Sequence, residues 1–456
     1  MLVSFSVSDF RSFGEKEKLS LVAGKRVADH GNHLVMLNDI KTAILRTAVV
    51  YGANGAGKSN LYRAIKFVRD LVVEDEPKGH GIVCPHFAFG TLRQPGTSFR
   101  IVFSAADGVY AYEVGVQQGV IVQERLDKVV SGVFKNVFER SYDKASNDTH
   151  VSIGSDFRDK MPEKVIALAV VGAIKTRTFL SIVGENIPNA IHRGESLSSV
   201  INWFEQLLFI APNEQFGGSL VREYQKSDFH DFARSILKDA AAVDDIMIVS
   251  KELAEGDVRR VIPKESVENA IDRLRQDELV VVSSSSGSRG MIERQADNRY
   301  RMSLLRAMHD LEGGITGSLD ISDESDGTKR LVDLLPAFYA VKTQGRVCII
   351  DEMDRSIHAL LMRSFLRLFL NGTDKGQLIF TTHESSLLDV DIFRRDEIWF
   401  AEKDLKGMTR LYSLNDYRLR TLRTVRDYYL QGRYGATPID FGAQGAANEV
   451  ARSEVP

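Results

Sequence analysis

Thr47-Ala48-Val49-Val50-Tyr51-Gly52-Ala53-Asn54-Gly55-Ala56-Gly57-Lys58-Ser59-Asn60-Leu61 runs from an apolar strand through a glycine-rich turn into a helix. Its middle, Gly52 to Ser59, fits the phosphate-loop pattern in the strand–loop–helix setting that pattern requires. Glycines let successive backbone N–H groups curl around a β-phosphate, and the helix N-terminus adds positive dipole. Lys58 reaches the β/γ oxygens and Ser59 offers a hydroxyl to Mg²⁺. Asn54, Gly55, Gly57, Lys58, Ser59 and Asn60 are the expected nucleotide-binding residues. A mere tight turn is the competing reading, and the flanking strand and helix weigh against it.

Working outward, Leu61, Ile65, Val68 and Leu71 or Val72 recur at helical spacing after the loop. Far downstream, Val347-Cys348-Ile349-Ile350-Asp351-Glu352 is an apolar strand ending in two carboxylates. Such an end suits a site beside a phosphate loop: Asp351 holds Mg²⁺ through water, and Glu352 polarises the attacking water as general base. Thr381-Thr382-His383 closes the next apolar strand and brings an imidazole toward the same edge. Taken singly, a histidine after a strand is an ordinary surface or core residue. Ser322-Asp323-Glu324-Ser325-Asp326-Gly327-Thr328 opens another helix. That is a second anion-binding helix end, although a plain N-cap explains Ser325 equally well.

The 456 residues are 43% hydrophobic and 27% charged, with a net charge of −3, the balance of a globular chain with no global positive field for nucleic acid or anionic membrane. The two cysteines, one inside the apolar run 347–350, suit a reducing compartment. The N-terminus alternates apolar and polar residues rather than reading as a signal peptide. No apolar run approaches the roughly 20 residues needed to span a bilayer. A cytoplasmic protein without a membrane partner is expected.

Four segments follow from the pattern. Residues 1–155 are strand-rich around the phosphate loop, including a meander through 98–103, 109–116 and 120–130. Residues 156–315 change to helical faces such as Val165, Leu168, Val171 and Ile174, so a mainly helical insertion is expected, with a possible strand at 279–282. Residues 316–440 return to alternating strands and helices, which implies a largely parallel sheet. Residues 441–456 read as a disordered tail. Sustained heptads are absent, which argues against a long coiled coil.

Together these elements resemble the ABC-type ATPase heads of SMC, Rad50, RecF and OLD proteins. The fold class implied is α/β: a P-loop head with a mixed sheet and an antiparallel lobe, interrupted by the insertion. In such heads Ser325 and Gly327 correspond to the signature motif, 354–357 to the D-loop, His383 to a catalytic switch histidine, and Arg11, in Phe10-Arg11-Ser12-Phe13, to a basic residue that approaches the nucleotide. Gln94 is the candidate for the Q-loop, and the signature lacks a second consecutive glycine. Stretches 324–331, 394–403 and 429–436 are similar to the stand-alone AAA15/AAA21 ATPases of bacterial defence and abortive-infection loci, the group that includes RloA and the AriA subunit of PARIS.

The resemblance implies Mg²⁺ and ATP as cofactors, with catalytic Glu352, His383 and Lys58, and Ser59 and Asp351 on the metal. It implies a homo-oligomer closed through ATP-sandwiched heads. It further implies a sensor or switch, triggered by a phage product or DNA, that controls a separately encoded effector such as a Toprim-type nuclease. A RecF- or SMC-like ATPase acting on DNA in repair is the alternative, and an ATP-binding scaffold without turnover is a third. Asp389-Val390-Asp391 mimics a metal-binding pair, but too little sequence follows to build a nuclease domain. Arg273, Arg275, Arg289, Arg294, Arg299 and Arg301 suggest basic helices, ordinarily solvated faces.

Overall fold

A computed structural model describes residues 1–434, apart from 74–80, 90–95, 172–173, 188–192, 213–218, 263–266, 276–279, 284–288, 296–298, 312–314, 373–374, 418–424 and 433. Gln94 and the expected tail 441–456 lie outside the described residues. The chain divides into two units. One comprises Met1–Ala211, Gly345–Met353 and Leu366–Pro456, and the other Pro212–Gln344 and Asp354–Phe365.

The first unit is built on a six-stranded sheet. Its order is Leu208–Ile210, Val347–Ile350, Gln377–Thr382, Thr47–Tyr51, Ile398–Lys403 and Thr409–Ser413. The first five strands run parallel and the last is antiparallel. Parallel strands covered on both faces need apolar residues at every position, which is why Thr47–Tyr51 and Val347–Ile350 are buried throughout. A second, antiparallel sheet of seven strands contains the meander Thr97–Ala105, Gly108–Gln117, Val120–Val130, Val133–Asp143 and Asp148–Ile153. Leu2–Ser8 and Glu17–Ser20 complete its far edge.

Both sheets share one core. The helix Lys58–Val73 contributes Leu61, Ile65, Val68 and Val72 to it, the face read from the sequence. Aromatic rings knit the meander to the helices that follow it: Phe103 stacks on Trp203 at 4.0 Å, and Phe138 meets Phe179 at 5.0 Å. Glu124 is wholly buried and accepts the Phe179 N–H at 2.6 Å, capping the helix Phe179–Asn186.

The second unit contains a five-stranded antiparallel sheet. Tyr300–Leu311 is its long strand, flanked by Asp245–Leu253 on one side. On the other side lie Arg289–Arg294, followed by Val280–Ser283, and Ile315–Asp320. Helices Ser227–Ala241 and Asp326–Gln344 join it in a core through Phe229, Leu237, Leu305, Leu331 and Leu335.

The block expected at 156–315 as a mainly helical insertion has more helix than strand among its described residues, but it is divided between the two units. Its first part, to Ala211, lies in the core of the first unit, because Leu208–Ile210 pairs in parallel with Val347–Ile350. The remainder is as much sheet as helix. Asp245–Leu253 leaves Met247 and Val249 exposed opposite buried Ile246, so apolar residues occur on both faces and period two is blurred. Arg294 and Arg301 stand on strands rather than on helices, and Arg299 pairs with Glu252 at 2.6 Å.

Candidate functional site

Three parallel strands end at one edge of the central sheet. Thr47–Tyr51 enters the phosphate loop, its neighbour Gln377–Thr382 ends beside His383, and the next strand, Val347–Ile350, ends at Asp351-Glu352. The register aligns Ile350 with Phe380, and Thr381 with Val50. Neighbouring strands lie about 4.8 Å apart, so the loop and the carboxylate pair are separated by roughly 10 Å, room for a phosphate chain and a hydrated cation.

The loop is held by its own geometry. Gly55 and Gly57 adopt φ of 82° and 104°, values that L side chains rarely tolerate. A Cβ at Gly57 would collide with Thr409 Oγ1 and approach Ser12 Oγ to 2.8 Å, whereas one at Gly55 would meet nothing within 4 Å. The Thr409 and Ser12 side chains thus crowd the loop on its inner side and leave its outer rim open. Lys58 is buried and donates from Nζ to the carbonyls of Gly52 at 2.6 Å and Ala53 at 3.1 Å. Its ammonium is thereby held inside the loop, where the N–H groups converge. Asn54 is exposed and Ser59 half-buried.

Asn60 takes a different part from the one expected. Its Nδ2 donates to Ser12 Oγ at 2.7 Å, Ser12 lies 2.7 Å from Thr409 Oγ1, and Thr409 reaches the Ala56 carbonyl at 2.8 Å. A carbonyl can only accept, so Thr409 donates to Ala56, Ser12 donates to Thr409, and Asn60 donates to Ser12. This relay fixes the loop from behind. Sequence reading gave no part to Ser12, although it quoted Phe10-Arg11-Ser12-Phe13, nor to Thr409, which stands 397 positions away.

Thr381 organises the acidic end. Its hydroxyl donates to Asp351 Oδ1 at 2.6 Å and accepts the Glu352 N–H at 2.8 Å, while its carbonyl takes the Met353 N–H at 3.0 Å. Asp351 is buried and Glu352 half-buried. Glu352 sits at φ 49°, left-handed backbone that is uncommon for a residue with a side chain. The strand therefore turns sharply between its two carboxylates and parts their side chains.

A family model described as "AAA domain, putative AbiEii toxin, Type IV TA system" (AAA_21) matches residues 48–389. The chain belongs to the AAA_21 family. Similar solved structures include the SMC head domain from Thermotoga maritima, 11% identical, with 90% of this chain and 98% of that one covered at a TM-score of 0.38. Another is an SMC head bound to the C-winged helix domain of ScpA, 12% identical, with 90% and 97% covered at 0.38. No curated protein matches.

The AAA_21 chain places its remaining expected residues in several different settings. His383 is exposed directly beyond the strand Gln377–Thr382. Arg11 is exposed at φ 51°, its guanidinium 5.7 Å from the Phe10 ring centroid. Burial and then the nearby Arg63 lower its titration. A guanidinium with a like charge beside it favours an anion nearby. Ser325 belongs to the second unit, where its Oγ accepts the Thr328 N–H at 3.1 Å and caps the helix Asp326–Gln344. Gly327 has no room for a side chain, since a Cβ would lie 2.9 Å from the Ser356 carbonyl oxygen. The Asp389 carboxylate accepts the Asp391 N–H at 2.8 Å and closes a turn.

The residues present fit a magnesium nucleotide. An open glycine rim, a buried ammonium and a helix N-terminus offer donors to phosphate. The hydroxyl of Ser59 and the Asp351 oxygen that Thr381 leaves unused form an all-oxygen donor set of the kind magnesium takes. No helix among the described residues is long and apolar enough to cross a membrane.

Proposed function

We propose that the protein binds Mg-ATP at this sheet edge and hydrolyses it. The observation that carries the reading is the convergence of the phosphate loop, Asp351-Glu352 and the His383 strand end on three adjacent parallel strands. Lys58 would neutralise β/γ charge, and Ser59 and Asp351 would hold Mg²⁺, which would supply Lewis-acid polarisation of the phosphoryl oxygens. Glu352 accepts a proton from the attacking water, and His383 orients the γ-phosphate end. Arg11 contributes charge from the antiparallel lobe. Glu352→Gln should keep ATP affinity while turnover falls about a thousandfold. A variant that hydrolyses ATP at the wild-type rate would remove Glu352 from the mechanism.

The helix end at Ser325 and Gly327 supports a further step, in which it closes over ATP held by a second copy, so that ATP joins two heads and hydrolysis parts them. The family's abortive-infection description favours a defence role. In this role the ATP-joined dimer, an RloA- or AriA-like switch, restrains a separately encoded toxic effector, of Toprim nuclease or other type, and a phage product releases it. Purification with genomic neighbours and assembly mass with and without ATP test this directly. A toxic partner that co-purifies and detaches on infection supports it. Strong ATPase stimulation by duplex DNA, lost with added salt, would instead place the protein in DNA repair.

A further inference from the structure

The second unit contains an ion pair whose protons are all assigned by its partners. His309, near the end of Tyr300–Leu311, places Nδ1 3.0 Å from the Ala242 carbonyl oxygen and Nε2 2.7 Å from Glu324 Oε1. A carbonyl oxygen only accepts, so Nδ1 bears a hydrogen. The Glu324 carboxylate facing Nε2 favours a hydrogen there too. The imidazolium form of the ring is thereby favoured, and its titration is raised, first by the Glu324 hydrogen bond.

The three residues sit at structural junctions. Ala242 is the left-handed residue that ends the helix Ser227–Ala241. Glu324 immediately precedes Ser325, the cap of Asp326–Gln344, and its side chain is only 9% exposed. Asp244 reinforces the cation from close by and is itself held by the Asp310 N–H at 2.7 Å. His309 thus ties a helix end and a sheet strand to the residue from which the 325–328 loop departs. Its two directional bonds leave Glu324 little freedom, and Lys329, which reaches the Ser322 carbonyl at 3.4 Å, braces the same turn from the helix side.

We propose that His309 is a positioning residue. By fixing Glu324 it sets the 325–328 loop, and so transmits the state of the second unit's sheet to closure over a second copy's ATP. This rests on the shared-site reading above. A partner that distorts the sheet would act on hydrolysis through this pair, without touching the phosphate loop.

The test uses full-length His309→Gln and Glu324→Gln. Each should raise the protein concentration needed for ATP-driven dimerisation about tenfold, the effect of one charged hydrogen bond. Monomer affinity for a fluorescent ATP analogue should stay unchanged, and the double variant should be no weaker than either single. Mixing His309→Gln with inactive Lys58→Ala should restore turnover, because one composite site then unites an intact phosphate loop with an intact 325–328 loop. Wild-type dimerisation in both variants, or a loss that mixing does not repair, overturns the proposal while leaving the shared site standing. Wild-type protein that stays monomeric with ATP ends both.

Discussion

Thr381 donates its hydroxyl hydrogen to Asp351 at 2.6 Å, one strand over from the phosphate loop. The same oxygen accepts the Glu352 N–H, so one side chain orients both the carboxylate proposed to hold the metal and the backbone of the proposed base. Thr381→Val keeps the shape and removes both bonds. ATP affinity should change little, whereas kcat should fall about tenfold to a hundredfold, the worth of one charged hydrogen bond. Steady-state kinetics beside equilibrium ATP binding separates the two; a shift in affinity alone would argue against an orienting role.

Gly57→Ala places a methyl group on Thr409 Oγ1 at a φ of 104°. Nucleotide binding should weaken by more than about tenfold. Removing the obstacle with Thr409→Ala should not restore binding, because the backbone strain persists and the relay to Ala56 is gone. Full rescue in the double variant would show that contact, not conformation, sets the loop.

Arg46 is 1% exposed and donates to the carbonyls of Gly372 at 2.6 Å, Phe369 at 3.1 Å and Leu370 at 3.3 Å, where the helix Ala359–Leu370 ends. A cation at a helix C-terminus answers both its dipole and its unpaired carbonyls. Arg46→Met strands those acceptors, and denaturant unfolding should show a loss of about 3 kcal/mol. An unchanged unfolding midpoint would mean that water replaces the guanidinium.

His33 and Glu397 form a buried pair at 3.0 Å. Burial and the nearby Arg394 lower the imidazole to about 4 from the usual 6.5, while burial raises the Glu397 carboxyl well above 4.5, so the folded pair holds one proton. The unfolded chain holds none on these groups above pH 6.5, one between 6.5 and 4.5, and two below. The proton kept on Glu397 therefore costs stability as pH rises above 4.5 through its raised folded value, and the neutral His33 costs stability as pH falls from 6.5 toward about 4. Glu397→Gln should erase the alkaline slope in melting temperature measured against pH; a slope that persists would have another origin.

The phosphate loop and both carboxylates were legible because each is a run of adjacent residues whose chemistry needs that spacing. Thr381 stood in a quoted motif, yet its part stayed hidden, since hydroxyl direction depends on register with a strand 30 positions away. Ser12 and Thr409 meet only once both sheets have formed. Asn60, expected to touch nucleotide, faces that relay. Of the second unit's sheet only the strand at 280–283 was foreseen; Asp245–Leu253 was hidden because it is apolar on both faces, and Leu208–Ile210 is too short to show any period.

Among the described residues, the strand Thr47–Tyr51 pairs with Gln377–Thr382 and Ile398–Lys403. On a ribosome adding about 5–20 residues per second, its partners emerge on the order of twenty seconds to a minute later. Throughout that interval an unpaired apolar strand next to the most important loop is open to wrong neighbours. Synthesis stalled before residue 377 would leave a sticky fragment that lacks the strand joining the Asp351-Glu352 end to the phosphate loop, so the yield of functional protein depends on whatever shields Thr47–Tyr51 until the chain is nearly finished.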